Sequence, residues 1–365
     1  MSELLHRVAL TKIPKVGAII TKNLISYCGS AEAVFKAPRR ELMSVPNVGA
    51  AIADNILKHD VLTWAEKELA FMEKHNIQPL FYTDTNFPQR LKSQHDCPAL
   101  LYYKGTADLN HGRIISIVGT RKPTSYGSRM TEEITEGLAE YNTLIVSGLA
   151  FGVDVAAHRK SVEMNVPTVG IMGSGLQRMY PTEHRDIARR MCENGGLLTE
   201  YPSDQEPDRE HFPMRNRIIA GMCDLLVVIE TGKSGGSMIT AHMAVGYERE
   251  VAAVPGRAGE KSSQGCNYLI KSLKASLVES AKDIAYLLGW DELDKTKIVQ
   301  KQLFTELSEN EQVIIKILQQ SEGGALIDTL SYQVQMNHSA IASLLLTLEF
   351  KGLIRSLPGK RYALV

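Results

Sequence analysis

Ile114-Ile-Ser-Ile-Val118-Gly119-Thr120-Arg121-Lys122-Pro-Thr124-Ser-Tyr126-Gly127 is the stretch that decides the fold. A short apolar run stops at a glycine, a hydroxyl and two cations, and a helical pattern near 125–141 follows. The unit recurs downstream. Apolar runs at 144–147, 168–172, 197–199, 225–229 and 251–254 alternate with helical patterns near 153–165, 183–194, 214–221 and 236–248. Near-continuous apolar strands separated by helices read as a parallel sheet buried on both faces. The class is α/β, a doubly wound parallel sheet over residues 113–290. In such a sheet ligands bind beyond the carboxyl ends of the strands, so the residues that follow each run are the functional candidates.

Those residues share one chemistry. Gly119, Thr120, Arg121 and Lys122 follow the first run, Gly148 the second, and Gly173-Ser174-Gly175 the third. Glu230 and then Lys233-Ser234-Gly235-Gly236-Ser237 follow the run at 225–229. Glycine lets the backbone approach an anion, while helix N-termini and Arg or Lys complement its charge. Four such loops on one edge point to a phosphate-binding surface. Glycines serving only as strand–helix turns would leave Arg121, Lys122 and Lys233 unexplained. Two nucleotide motifs fail: a Walker A loop needs glycine where Val227 stands, and Gly-x-Gly-x-x-Gly is broken by Arg121 and by Arg178.

Phe212-Pro213-Met214-Arg215-Asn216-Arg217 is the most distinctive stretch. Arginines two apart take different sides of a helix, so one can meet phosphate while the other packs inward. Phe212 reads either as a core residue or as a base-stacking platform, worth about 1–3 kcal/mol per base. Catalytic constellations are thin. Asp154 and His158 share a helix face, and Glu200 and Glu230 follow strands, but no nucleophile accompanies them. An aspartate at a helix start more often caps N–H groups. The histidines and the five cysteines show no metal-ligand spacing, so no catalytic residue, metal or cofactor is expected.

The flanks are of other kinds. Residues 1–62 read as short helices holding a repeat: Ile13-Pro-Lys-Val-Gly17-Ala-Ile-Ile and Val45-Pro-Asn-Val-Gly49-Ala-Ala-Ile. The segment resembles the helix-hairpin-helix (or SAM-like) module. Gly17 and Gly49 would permit the tight turn and leave helix N-termini open to a DNA backbone; the other reading is a small bundle that uses the turn for packing. Residues 63–112 form a lead-in to the sheet domain, with a helix over 64–75 and a strand after Cys97, so that domain is taken as 63–290. Residues 291–308 are polar and read as a linker. Residues 309–365 give three helices and a hairpin turning at Pro358-Gly359, a winged-helix pattern. Its third helix, from Ser339 to Lys351, offers few donors for the major groove, so a protein partner is as well supported as DNA.

Composition sets outer limits. The chain has 365 residues, 44% hydrophobic and 22% charged, with a mean hydropathy of −0.12. It is long enough for several domains and has no apolar run near the ~20 residues of a membrane span. Met1 to Gly17 lacks a leader-type apolar core, so a cytoplasmic, membrane-free protein is expected. Lys plus Arg and Asp plus Glu are 41 each. A chain that coats duplex DNA carries a broad basic face, so any nucleic-acid site here is a local cluster.

Taken together, GTRKPTSYG at 119–127, SGLAFGVD at 147–154, GSGLQRMYP at 173–181, FPMRNRIIAG at 212–221, SGGSMITA at 234–241 and VPG at 254–256 resemble the DNA-processing protein A family, DprA or Smf. The resemblance implies an extended Rossmann-like domain between a helical N-terminal module and a C-terminal winged helix. It also implies a non-catalytic, single-stranded DNA-binding mediator of natural transformation that dimerises, protects incoming strands and helps load the RecA recombinase. Arg121 would hold a phosphate with Lys122 nearby. Phe212, Arg215, Asn216 and Arg217 would complete the pocket, Gly148 and Lys233 would border it, and the loops 173–175 and 234–237 would donate N–H groups. The chain departs from the family at Lys271-Ser-Leu-Lys-Ala-Ser276, where a Gly-Ala pair is usual, and at Thr120, where serine is commoner. Two competitors stand beside this reading. A phosphoribohydrolase-like nucleotide-processing enzyme would need a catalytic glutamate in its PGGxGTxxE loop, and SGGSMITA has none. A pure interaction scaffold would not bind DNA.

Overall fold

The computed structural model describes residues 2–58, 60–290, 308–319, 321, 324–334, 336–351, 353–357 and 361–364. It forms two compact units, Met1–Leu288 and Gly289–Val365. The linker expected at 291–308 and the turn at Pro358-Gly359 lie outside the described residues, apart from Ser308.

The first unit is built on nine strands: β1 (Gln78–Phe81), β2 (Leu100–Gly105), β3 (Ile114–Val118), β4 (Leu144–Gly148), β5 (Thr168–Ile171), β6 (Gly196–Thr199), β7 (Leu225–Val228), β8 (Glu250–Ala253) and β9 (Ser276–Leu277). Their order is β1-β2-β6-β5-β4-β3-β7-β8-β9. From β6 to β9 every neighbouring pair is parallel, whereas β1–β2 and β2–β6 are antiparallel. The chain therefore winds outward from β3 in one direction through β4, β5 and β6, and from β7 in the other. The carboxyl ends of β3 and β7 meet at the switch point, where a Rossmann-like sheet opens its ligand crevice. β3, β4, β5 and β7 are buried along their whole length, as strands covered on both faces must be.

The six runs read from the sequence are β3 to β8, and the strand expected after Cys97 is β2. β1 and the two-residue β9 left no readable periodicity, so the sheet extends further at both edges than the pattern showed.

Residues 2–58 carry five helices, and the repeat within them is real in three dimensions. Gly17 and Gly49 each precede a helix, Ala18–Cys28 and Ala50–Leu57, in ordinary extended backbone (φ −89° and −90°). The left-handed residue of each turn is instead Lys15 (φ 68°) or Asn47 (φ 66°), two places earlier. The tight turn thus does not come from the glycines; what they provide is open space, with nothing within 4 Å of where a Cβ would stand. The two halves exchange equivalent hydrogen bonds: Asn23 Nδ2 donates to the Pro46 carbonyl (3.3 Å), and Asn55 Nδ2 to the Pro14 carbonyl (3.2 Å). Leu10, Leu24, Leu42 and Ile56 of these helices share one core with Phe81 and Tyr102 of β1 and β2.

The second unit is a winged helix. Helices Glu309–Gln319, Ile327–Val334 and His338–Phe350 enclose Ile314, Leu330, Ile341, Leu345 and Leu348. Beside them lies a three-stranded antiparallel sheet of β10 (Ala325–Leu326), β11 (Ile354–Leu357) and β12 (Arg361–Leu364). Buried Glu311 pairs with Lys351 at 2.8 Å and so ties the first helix to the end of the third. Leu346 and Phe350 are exposed on that third helix.

Candidate nucleic-acid interface

A crevice of about 640 Å³ opens at the switch point between β3 and β7, within the usual range of ligand pockets. Its first wall is the loop after β3, and Glu230 fixes that loop. The backbone N–H of Thr120 donates to the Glu230 carbonyl (2.7 Å), while Thr124 donates to the Glu230 carboxylate through its N–H (2.9 Å) and its hydroxyl (2.6 Å). The Thr124 hydroxyl in turn accepts from the Gly127 N–H and caps helix Ser125–Leu138. A Cβ at Gly127 would collide with the Glu230 carboxylate, and one at Gly119 with Val153. Gly152, at φ +82°, lays the next helix start directly on the Thr120–Arg121 backbone. Arg121 therefore stands on a rigid loop, exposed, with no hydrogen bond or ion pair among the described residues. Its guanidinium lies 5.8 Å from the centroid of the Phe212 ring.

Phe212 begins the second wall. Helix His211–Met222 places Pro213 in its first turn, where no N–H is needed. Phe212 is half-buried beside Tyr180, with ring centroids 5.7 Å apart, and touches the Gly173 position. Asn216 lines the crevice one turn on, its amide unpartnered among the described residues. Arg215 is 4% exposed; its Nη1 donates to the Ile171 carbonyl and its Nε has no partner among the described residues. Gly148 has no room for a side chain because Arg215 and the Asp154 carboxylate already occupy that space.

The third wall is the start of helix Gly236–Gly246. No side chain caps it, so the N–H groups of Gly236 and Ser237, both lining the crevice, remain available to an anion. Gly235 packs against the Thr231 side chain and also lines the crevice.

Several expected residues stand elsewhere. Arg217 does not line the crevice: it is 6% exposed and pairs with Glu200. Lys122, Lys233 and Ser234 are exposed beyond the walls. Ser174 spends its hydroxyl on the Arg178 carbonyl (2.7 Å), and the Gly175 N–H donates to the Gln205 carbonyl (2.9 Å), so this loop is closed on itself and on residues 202–205. Gly173 borders a small apolar recess beside Phe212, with Phe151 and Tyr180.

The acid–base candidates are likewise committed. His158 does not pair with Asp154. Its Nε2 donates to the Gly148 carbonyl and its Nδ1 meets the Thr168 hydroxyl, both at 2.7 Å, and burial pulls its pKa down to about 4. Burial pushes Asp154 up to about 6, against the pull of Arg215. Burial likewise raises Glu200, opposed by Arg217. Two crevice residues had no clear signal in the sequence: Arg209, in a polar stretch without periodicity, and Tyr180, at the end of the Gly173 loop. No cluster of three or more metal-ligating side chains occurs among the described residues.

Arg121, Phe212 and the start of helix Gly236–Gly246 thus share one crevice at the switch point of a Rossmann-like sheet. The chain belongs to the DNA-processing protein A (DprA/Smf) family. The family model described as DNA recombination-mediator protein A matches residues 78–289, and the DprA winged helix domain matches 302–360. The chain is 32% identical to protein Smf of Synechocystis over 99% of this chain and 98% of that one. It is 38% identical to DNA processing protein DprA of Bacillus subtilis over 59% and 73%, respectively. The crystal structure of Streptococcus pneumoniae DprA superposes with a TM-score of 0.66 at 27% identity, covering 78% of this chain and 97% of that one. A solved structure of DNA processing protein A from Helicobacter pylori, described for its single-stranded DNA binding mode, gives 0.54 at 28% identity over 59% and 96%.

Proposed function

We propose that this chain binds single-stranded DNA in the switch-point crevice and acts as a recombination mediator in natural transformation, protecting the strand and passing it to the RecA recombinase. The observation that carries the reading is Arg121, held rigid and unpaired over Phe212. A phosphodiester fits between Arg121, Arg215, Asn216 and the Gly236–Ser237 N–H groups, and a base fits against Phe212. Gly119 and Thr120 shape the floor, Gly148 makes room behind it for Arg215 and Asp154, and Lys122 and Lys233 add charge at the rim. Stacking and backbone contacts carry little sequence information, so binding is expected to be sequence-tolerant and salt-sensitive. The helical module offers a second, weaker backbone contact at the open N-termini after Gly17 and Gly49. A second copy of the chain is expected at the β9 edge, where Tyr268, Leu273 and Leu277 are each exposed within ten residues of sequence.

The role is binding and not catalysis. Glu230 is spent on Thr124 and Glu200 on Arg217, and SGGSMITA at 234–241 lacks the loop glutamate that the phosphoribohydrolase-like alternative needs. Among the described residues no helix is long and apolar enough to cross a membrane. The test is titration of a labelled oligonucleotide into wild type and Arg121→Ala. Equal affinities would remove the crevice from the function.

A further inference from the structure

The crevice holds an acid that a simple phosphate site would exclude. Asp154, 8% exposed, lines it together with Arg121 and Arg215, and its carboxylate and the Arg215 guanidinium both border the space beside Gly148. The charged and titratable groups around it are few. Arg215 approaches from helix His211–Met222 and Arg121 from the loop after β3. His158 shares the helix Val153–Glu163 but is bonded to Gly148 and Thr168. Arg209 lines the far side of the same crevice. With Asp154 ionised, one of the two arginine charges is already answered. A phosphodiester entering the crevice then places a second anion beside a buried carboxylate, and a like charge in a dry site drives such a carboxylate to take a proton.

We propose that docking of a DNA phosphate is coupled to uptake of one proton by Asp154. The proton comes from solvent and settles on the Asp154 carboxylate, leaving both guanidiniums to the phosphate. The inference rests on the reading of the crevice as a single-strand site. The raised affinity of Asp154 for protons in the free protein places it within reach of such a change near neutral pH.

Two measurements test this on the full chain with labelled oligo-dT. In the first, affinity is followed from pH 6 to pH 8 at constant ionic strength for wild type and Asp154→Asn. Wild type should weaken by about tenfold per pH unit, the limit for one linked proton. Asp154→Asn should be flat and, at pH 8, should bind as tightly as wild type does at pH 6. An equal slope in both proteins overturns the inference while leaving the single-strand reading intact. Absence of binding by wild type at every pH overturns the reading itself. In the second, calorimetry of the wild type at pH 7.5, in buffers of differing ionisation enthalpy, counts protons directly. A count approaching one supports the linkage and a count near zero refutes it, whether or not the Asn variant folds.

Discussion

Replacing Arg217 by alanine removes one partner of a buried ion pair and leaves the other in place. Glu200 has one carboxylate oxygen paired with Arg217 and a second, buried, without a partner among the described residues. The substitution strands a buried carboxylate without its counter-charge, which typically costs about 3–5 kcal/mol. At about 2–4 °C per kcal/mol for a folded body of this size, the melting temperature should fall by roughly 6–20 °C. Burial already raises the Glu200 pKa and Arg217 opposes the rise, so removing Arg217 raises it further. A group whose folded pKa lies above its unfolded value loses stability as pH rises, so the deficit should shrink in acid. Calorimetric melts at pH 5 and pH 8 check both points, and Arg217→Met with Glu200→Gln, which removes both charges, should recover most of the loss. Oligonucleotide affinity measured well below the melt should hardly change. An Arg217→Ala protein that melts like wild type but loses single-strand affinity would refute the assignment of Arg217 to the interior.

Arg121→Ala should behave in the opposite way, with an unchanged melt because the side chain is exposed and unpaired. Loss of one charge-assisted contact should weaken oligo-dT binding by about 10- to 100-fold and make the log–log salt slope shallower by roughly 0.7, as fluorescence anisotropy at several salt concentrations will show. Acid stability depends on two opposed groups. His158, with its pKa pulled down to about 4, loses about 3 kcal/mol of stability as pH falls from 6.5 to 4. Asp154, pushed up to about 6, gains a similar amount as pH falls through 6 to 4. Denaturant melts of wild type should therefore vary little across this window, whereas Asp154→Asn should lose stability steeply. At the β9 edge, Leu273→Glu should abolish the proposed dimer in light scattering, since Leu273 is 94% exposed and touches little in its own chain.

The parallel core was legible because strands buried on both faces must be apolar throughout, and β3, β4, β5 and β7 each ran into a glycine-bearing loop ahead of a helix. β1 and β9 were not, because an edge strand of two to four residues carries too few side chains to show a period. The candidate site was legible by position, since the switch-point rule names strand ends. Its inner geometry was not. Spacing put Arg215 and Arg217 on different sides of a helix, but could not say which faced the crevice; that depends on Ile171 and Glu200, distant in sequence. The same limit hid the role of Glu230, whose partners lie 106 residues away, and left the Asp154–His158 pair looking like a dyad. In the repeat, the glycines marked the helix starts, while the left-handed turn fell on Lys15 and Asn47.

The most direct test compares a labelled single strand with the matching duplex by fluorescence anisotropy at two salt concentrations, using the full chain. Strong, salt-sensitive preference for the single strand is the expected result if the crevice of an otherwise neutral protein holds a phosphate at Arg121 and a base at Phe212, as proposed. Equal affinity for both forms, or none for either, would contradict the account.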